Sequence, residues 1–423
     1  MAAEDFNPFD NDEMVECYEI GRSLRSQCPV LRSDKGFVYT ARWSECRDVF
    51  RDARLFASAG GARAPGVVVP PDQLLPNEMD PPLHPRIRRL LVSAFNPGMA
   101  GDVEPFTRRI VRATLDKVAR DLETGPCDMV RMATIPIPSA VTVHILGFPE
   151  ADADRVGAWG AEIMDSDWVL FNRNERGVGF DGFPEFRDYI NEHVAARRAE
   201  RNPPGDLVTR LIQAEFEGEH LNDTQIRTVI AFLFLAGVST TTALMGNLLY
   251  QMLADRPLFE QVQADPSLAP RAVEESLRYT SPVTFMARTA ATDTALAGTP
   301  VYAGERIIIG ISSAGRDPAA YGPDAEEYRL DRVDPPQHFA FGFGAHYCLG
   351  RDLGRMEASV FLQEVAARFP QLELAPGFAF EKLPVPFEWG PVQLLVTRGS
   401  GAQPAVPGSV PAPGRTESVG ERA

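Results

Sequence analysis

Cysteine is scarce in this chain, with five among 423 residues at positions 17, 28, 46, 127 and 348. The number is odd and no two form a C-x-x-C pair, so neither a disulfide framework nor a zinc site is expected, and a reducing compartment, the cytoplasm, is. Basic charge is short as well. Lys and Arg total 42 against 58 Asp and Glu, and the net charge of −16 argues against a nucleic-acid partner. Long apolar runs are missing too. The longest, Val229 to Val238, falls far short of the roughly 20 residues that a membrane span requires. The N-terminus, Met1 to Phe6, is acidic rather than basic, so neither a secretory signal nor a membrane anchor is expected. The chain also lacks any segment that reads as a flavin or iron–sulfur module.

What is present is an ordinary globular balance, 44% hydrophobic and 24% charged. The patterning is mostly helical. Amphipathic periodicity predicts helices over 12–26, 43–52, 80–95, 103–122, 151–165, 183–200, 223–254, 260–264, 271–279 and 351–369. Strand-like segments fall at Phe37–Arg42 and across 283–311. Residues 59–78, rich in Gly, Pro and Val, form a loop long enough to be a lid or a pocket wall. No linker divides residues 8–398, which read as one domain, and 399–423 lack a periodic apolar face and read as a disordered tail.

The most informative segment is Phe341-Gly342-Phe343-Gly344-Ala345-His346-Tyr347-Cys348-Leu349-Gly350. It sets one cysteine in a glycine-flanked turn just before a helical pattern. Glycines at 344 and 350 permit backbone angles and close approach, and a thiolate in such a turn can receive backbone N–H bonds. His346 is placed to donate to a carboxylate. The pattern F-x-x-G-x-H-x-C-x-G resembles the haem-ligand loop of the cytochrome P450 family of haem-thiolate monooxygenases. The resemblance implies a mainly α fold with small sheets, a triangular helical prism holding haem b (iron protoporphyrin IX) between a long central helix and the cysteine loop. Cys348 is then the axial iron ligand, with Phe341, Gly342 and Gly350 against the ring.

Further segments agree with the resemblance. Ala236-Gly237-Val238-Ser239-Thr240-Thr241 is similar to the family's oxygen-binding helix, so Ala236 and Gly237 are expected beside the ring and Thr240 over the iron. The family's acid before the threonine is absent. Ser239 stands there, and a hydroxyl can pass protons along but cannot store one as a carboxylate does. Glu275 and Arg278, at i and i+3, resemble the family's E-x-x-R pair and are expected as a buried structural lock. His84 and Arg88, in D-P-P-x-H-x-x-x-R, join Arg288 and His346 as expected partners for two propionates. His338 is expected to steady the ligand loop.

The substrate pocket is expected from the 61–78 loop, the 168–186 segment, Val238 and the 282–286 entry, with Trp168, Phe171, Phe180, Phe183, Val283 and Phe285 giving apolar surface. The expected chemistry inserts one oxygen atom from O2 into a lipophilic small molecule such as a terpenoid, steroid, polyketide or aromatic. Electrons are expected from a ferredoxin and its NAD(P)H-dependent ferredoxin reductase, docking on Arg86, Arg88, Arg89, Arg351 and Arg355. A monomer is expected. Ser239 keeps open a peroxygenase or a nitric oxide reductase on the same fold, and a non-catalytic haem-binding protein is the remaining alternative.

Overall fold

The structure, a computed structural model, describes residues 6–61, 63–64, 66–95, 98–164, 166 and 173–399. The expected pocket residues Trp168 and Phe171, and the tail beyond Gly399, lie outside the described residues. The architecture is mainly helical, organised around the central helix Asp223–Ala254. Its start is set by a reciprocal capping box. The Asn222 side chain accepts from the Gln225 N–H at 2.8 Å, and the Gln225 side chain accepts from the Asn222 N–H at 2.9 Å. With 32 residues the helix runs about 48 Å, enough to cross the whole molecule.

This helix is long and apolar enough to span a membrane by length and composition alone, which corrects the expectation drawn from the longest uninterrupted run. Its composition has another cause here, because 72% of the most apolar window is buried inside the protein. Helices Pro136–Leu146, Ala153–Met164, Ala269–Tyr279 and Arg351–Arg368 pack against it. A helix surrounded on every side carries apolar residues on every side.

The principal sheet has five strands in the order Val30–Ser33, Phe37–Thr40, Arg306–Gly310, Phe285–Ala290 and Phe56–Ala57. Arg306–Gly310 runs parallel to Phe37–Thr40 and antiparallel to Phe285–Ala290. A smaller antiparallel sheet joins Leu372–Leu374, Leu395–Arg398 and Cys127–Asp128.

Two expectations need correction. The helix expected over 80–95 begins only at Leu83, and the Asp80 carboxylate before it accepts from the N–H groups of Ser58 and Ala59 at 2.9 Å each. That pins the start of the long loop to the start of the helix. Helix Pro136–Leu146 is absent from the sequence reading. Its apolar residues are spread round the helix, with Pro136 and Ala140 on the less buried face beside His144, so no 3.6-residue period marks it.

Candidate active site

A cavity of about 330 Å³ lies between the middle of the central helix and the loop Phe341–Gly350. The loop is held by its own backbone: Cys348 N–H donates to the Phe341 carbonyl at 2.9 Å, and Gly342 N–H to the Phe339 carbonyl at 2.7 Å. Gly344 takes φ 71, and a Cβ there would meet the Phe50 carbonyl at 2.8 Å, so both backbone angle and contact demand glycine. Gly350 is different. It has φ −83 and open space where a side chain would go, so neither angle nor contact requires glycine there. Its N–H is aimed at the Cys348 sulfur.

Cys348 is half-buried and lines the cavity. Burial pushes its thiol up. The Gly350 N–H and the positive charges of Arg351, Arg88 and Arg355 act the other way, favouring the thiolate. Arg351 also donates to the Cys348 carbonyl at 3.1 Å, and Arg88 to the Tyr347 carbonyl.

Four nitrogen-bearing side chains line the same cavity: His84, Arg88, Arg288 and His346. The two imidazoles stack with centroids 3.8 Å apart. Arg288 is buried, and burial lowers its guanidinium to about 10. His346 is pushed down to about 3, first by burial and then by the charges around it, so it stays neutral. Among the described residues none of the four makes an ion pair with a carboxylate. A cluster of buried and half-buried nitrogen donors without carboxylate partners among the described residues, beside a half-buried thiol, fits a dianionic group with a thiolate-seeking metal. The cavity therefore suits a haem with its two propionates.

On the opposite wall, Ala236, Gly237, Ser239 and Thr240 face the cavity. Thr240 donates to the Ala236 carbonyl at 2.8 Å, which leaves its oxygen lone pairs open to accept. Gly237 is small for a reason the sequence reading did not give. A Cβ there would meet the Thr142 hydroxyl at 2.6 Å, so the residue serves a helix–helix contact as well as the cavity. Ser239 has an unforeseen partner: its hydroxyl lies 2.9 Å from the Glu388 carboxylate.

The expected pocket is partly reassigned. Gly61, Arg63 and Leu75–Glu78 of the long loop line the cavity, as do Pro282 and Val283. Phe285 does not. Strand alternation sends it into the core, where its ring meets Phe9 at 5.6 Å, and presents Met286 and Arg288 to the cavity instead. Phe180 and Phe183 are core residues around Phe186, and Val238 is buried facing Gly160 on a neighbouring helix. The residues missed were Arg63, Glu78, Glu357 and Glu388, all buried and all on the cavity wall. No pattern of period or spacing marks them. Arg63 donates to Glu78 at 2.5 Å, an ion pair formed only when the loop folds back on itself.

Comparison with known proteins points the same way. A family model described as Cytochrome P450 matches residues 181–382. The chain is 33% identical to a steroid C26-monooxygenase of Mycobacterium tuberculosis, across 84% of this chain and 86% of that one. It is 31% identical to an erythromycin C-12 hydroxylase of Saccharopolyspora erythraea, across 83% of this chain and 86% of that one. Its backbone matches a cytochrome P450 from Chondromyces apiculatus with a TM-score of 0.81 at 27% identity, covering 94% of this chain and 99% of that structure.

Proposed function

The chain belongs to the cytochrome P450 family of haem-binding monooxygenases, and from that premise we propose that it oxidises a lipophilic small molecule of steroid or macrolide size. The haem we propose is haem b, with Cys348 as axial ligand and His84, Arg88, Arg288 and His346 as propionate partners. When bound, a thiolate-ligated haem supplies reductive O2 activation and insertion of one oxygen atom into a C–H bond. The chain's own residues supply the rest. The Gly350 N–H and the nearby arginines steady the sulfur charge. Phe232, Leu233, Leu244 and Phe387 give the cavity apolar walls that bind an uncharged ligand and exclude water. The Thr240 hydroxyl, anchored to Ala236, holds a fixed acceptor at the centre of that wall.

The observation that carries this reading is the convergence on one apolar-walled cavity of Cys348 and four nitrogen-bearing side chains that have no ion-pair partner among the described residues. The substrate class draws on relatives named for steroid and erythromycin oxidation. Electrons come from a ferredoxin and its NAD(P)H-dependent reductase, because nothing in residues 8–398 reads as a flavin or iron–sulfur segment, and the protein works as a monomer. The test is a spectral titration of the haem-loaded protein with steroids, macrolides and charged compounds, followed by product analysis with a ferredoxin system. Spin-state shifts with lipophilic ligands and an O2-derived oxygen in the product are expected. Response to charged ligands alone would overturn the reading.

A further inference from the structure

We propose that Glu388 is the proton-holding acid of this cavity, supplied from the C-terminal segment to a central helix that has only a hydroxyl, Ser239, at the facing position. The inference rests on the monooxygenase reading and names the group that feeds protons to its cavity. Glu388 is 2% exposed, yet it is part of the cavity wall. Its backbone is fixed by a bridge to Val283 and by its N–H bond to the Val385 carbonyl at 3.1 Å. A buried carboxyl group is costly unless it is neutral or paired, and among the described residues no ion pair neutralises this one.

Hydrogen counting at Ser239 favours a protonated Glu388. The Ser239 oxygen lies 3.1 Å from the Leu235 carbonyl and 2.9 Å from a Glu388 carboxyl oxygen. A hydroxyl has one hydrogen, and a carbonyl can only accept. If Glu388 were ionised, one of the two contacts would bring two oxygens together without a proton. If Glu388 is protonated, it donates to Ser239 while Ser239 donates to Leu235, and both contacts are made. Burial pushes Glu388 up to about 7, against the opposing pull of Ser239 and Lys382, so near neutral pH the group can both hold a proton and give it up.

The surroundings fit a donor rather than a structural ion. Lys382 is the charged neighbour on the same segment. Its ammonium spends its three hydrogens on the Asn11 side chain and the carbonyls of Leu383 and Val385, at 2.7–2.8 Å. It therefore acts on Glu388 as a fixed positive field without capturing it. The facing turn of the helix presents Ser239 and Thr240, and the bridged residue Val283 brings no charge. In the proposed step the Glu388 O–H bond breaks and its proton passes to a water or hydroxyl oxygen in the cavity. The carboxylate then regains a proton from bulk water, so no other reactant is needed.

The test pairs infrared spectroscopy with product accounting on the haem-loaded protein. Wild type is expected to show a protonated-carboxyl band that fades as pH rises through about 7. Glu388→Gln should lose that component, leaving the band of the other buried cavity carboxyl, Glu357, which burial raises to about 8, while keeping its haem and its reduced carbon monoxide spectrum. It should also lose roughly 100-fold in product formation, with the reducing equivalents appearing as peroxide. Adding Ser239→Asp to Glu388→Gln moves the acid onto the helix and should recover most of the loss, which a merely structural role would not allow. Should Glu388→Gln fail to fold, Ser239→Ala breaks the same link and should shift flux toward peroxide. An unchanged product-to-peroxide ratio, a band that Glu388→Gln leaves unchanged, or a variant whose only defect is weaker binding of cationic ligands would each overturn the proposal. If wild type itself forms no product from O2, the monooxygenase reading fails, while the infrared band still decides whether Glu388 holds a proton.

Discussion

Arg278 grips Glu275 with two parallel bonds, Nε to Oε2 at 2.8 Å and Nη2 to Oε1 at 2.7 Å, and both side chains are buried. The pair reaches well beyond its own helix. Arg278 also donates to the carbonyls of Gly315, Ala325 and Glu327, while Glu275 accepts from Arg332 and from the Arg329 N–H. Helix Ala269–Tyr279 is thereby tied to the whole segment that precedes the cysteine loop.

Breaking that grip should be expensive. Glu275→Ala leaves the buried Arg278 guanidinium without its carboxylate and leaves Arg332 with Asp324 as its remaining ion-pair partner. The expected destabilisation is about 3–5 kcal/mol, read as a lower denaturation midpoint. Glu104→Ala, which loses a bond to a part-exposed Arg108, serves as the comparison and should cost no more than about 1 kcal/mol.

The donor set gives a second prediction. Replacing Arg288, a buried cation without a carboxylate partner among the described residues, by Leu should leave the empty fold at least as stable, because a buried charge lacking an ion pair is removed. If Arg288 holds a propionate as proposed, the same change deletes a charge-assisted bond, about 1.5–3 kcal/mol and so roughly 10–100-fold in haem affinity. Haem transfer to an acceptor protein, measured beside thermal unfolding of the haem-free chain, separates the two effects. Equal haem loss from wild type and variant would remove Arg288 from the set.

Acid should weaken the anchor beneath the cysteine loop. Burial alone would raise the Glu274 carboxyl, but bonds from His338 and Arg355 hold it down, from an ordinary 4.5 to about 2. A carboxylate whose folded value is depressed contributes stability above its unfolded value. That contribution fades as pH falls from about 4.5 toward 2. Glu274→Gln should therefore lower stability at pH 6 and flatten the acid side of a urea-unfolding pH profile. Part of Glu274 faces solvent, so salt should shrink the difference.

Much of this was legible in the sequence, and the boundary follows from how each signal arises. Cys348, His346, the Asn222 cap and the Glu275–Arg278 pair are written as short spacings, because neighbours on one loop or helix turn must be neighbours in the chain. The principal helices with a solvent face showed their period. Pro136–Leu146, apolar on nearly every side, did not. Phe285 and Phe180 were misassigned because aromatic character marks burial without saying which cavity or core receives it. Glu388 was invisible for a deeper reason: its meaning lies in Ser239, a residue distant in sequence, and only the fold brings them to 2.9 Å.

The structure also redraws the proposed electron-donor face. Arg86 is engaged by Glu217, Arg355 by Glu274, and Arg351 holds the Cys348 carbonyl. Charge reversal at Arg351 would therefore disturb the sulfur loop itself and confuse docking with ligation. Arg89 is exposed on helix Leu83–Ala94, close in sequence to Arg88 and the cavity. Arg89→Glu should slow reduction by an acidic ferredoxin roughly tenfold at low ionic strength without altering ligand-induced spectral shifts. At 1 M salt the screening length falls to about 3 Å, so variant and wild type should converge. Stopped-flow reduction across a salt series makes the measurement. Rates that respond neither to salt nor to the charge at position 89 would move the docking face elsewhere.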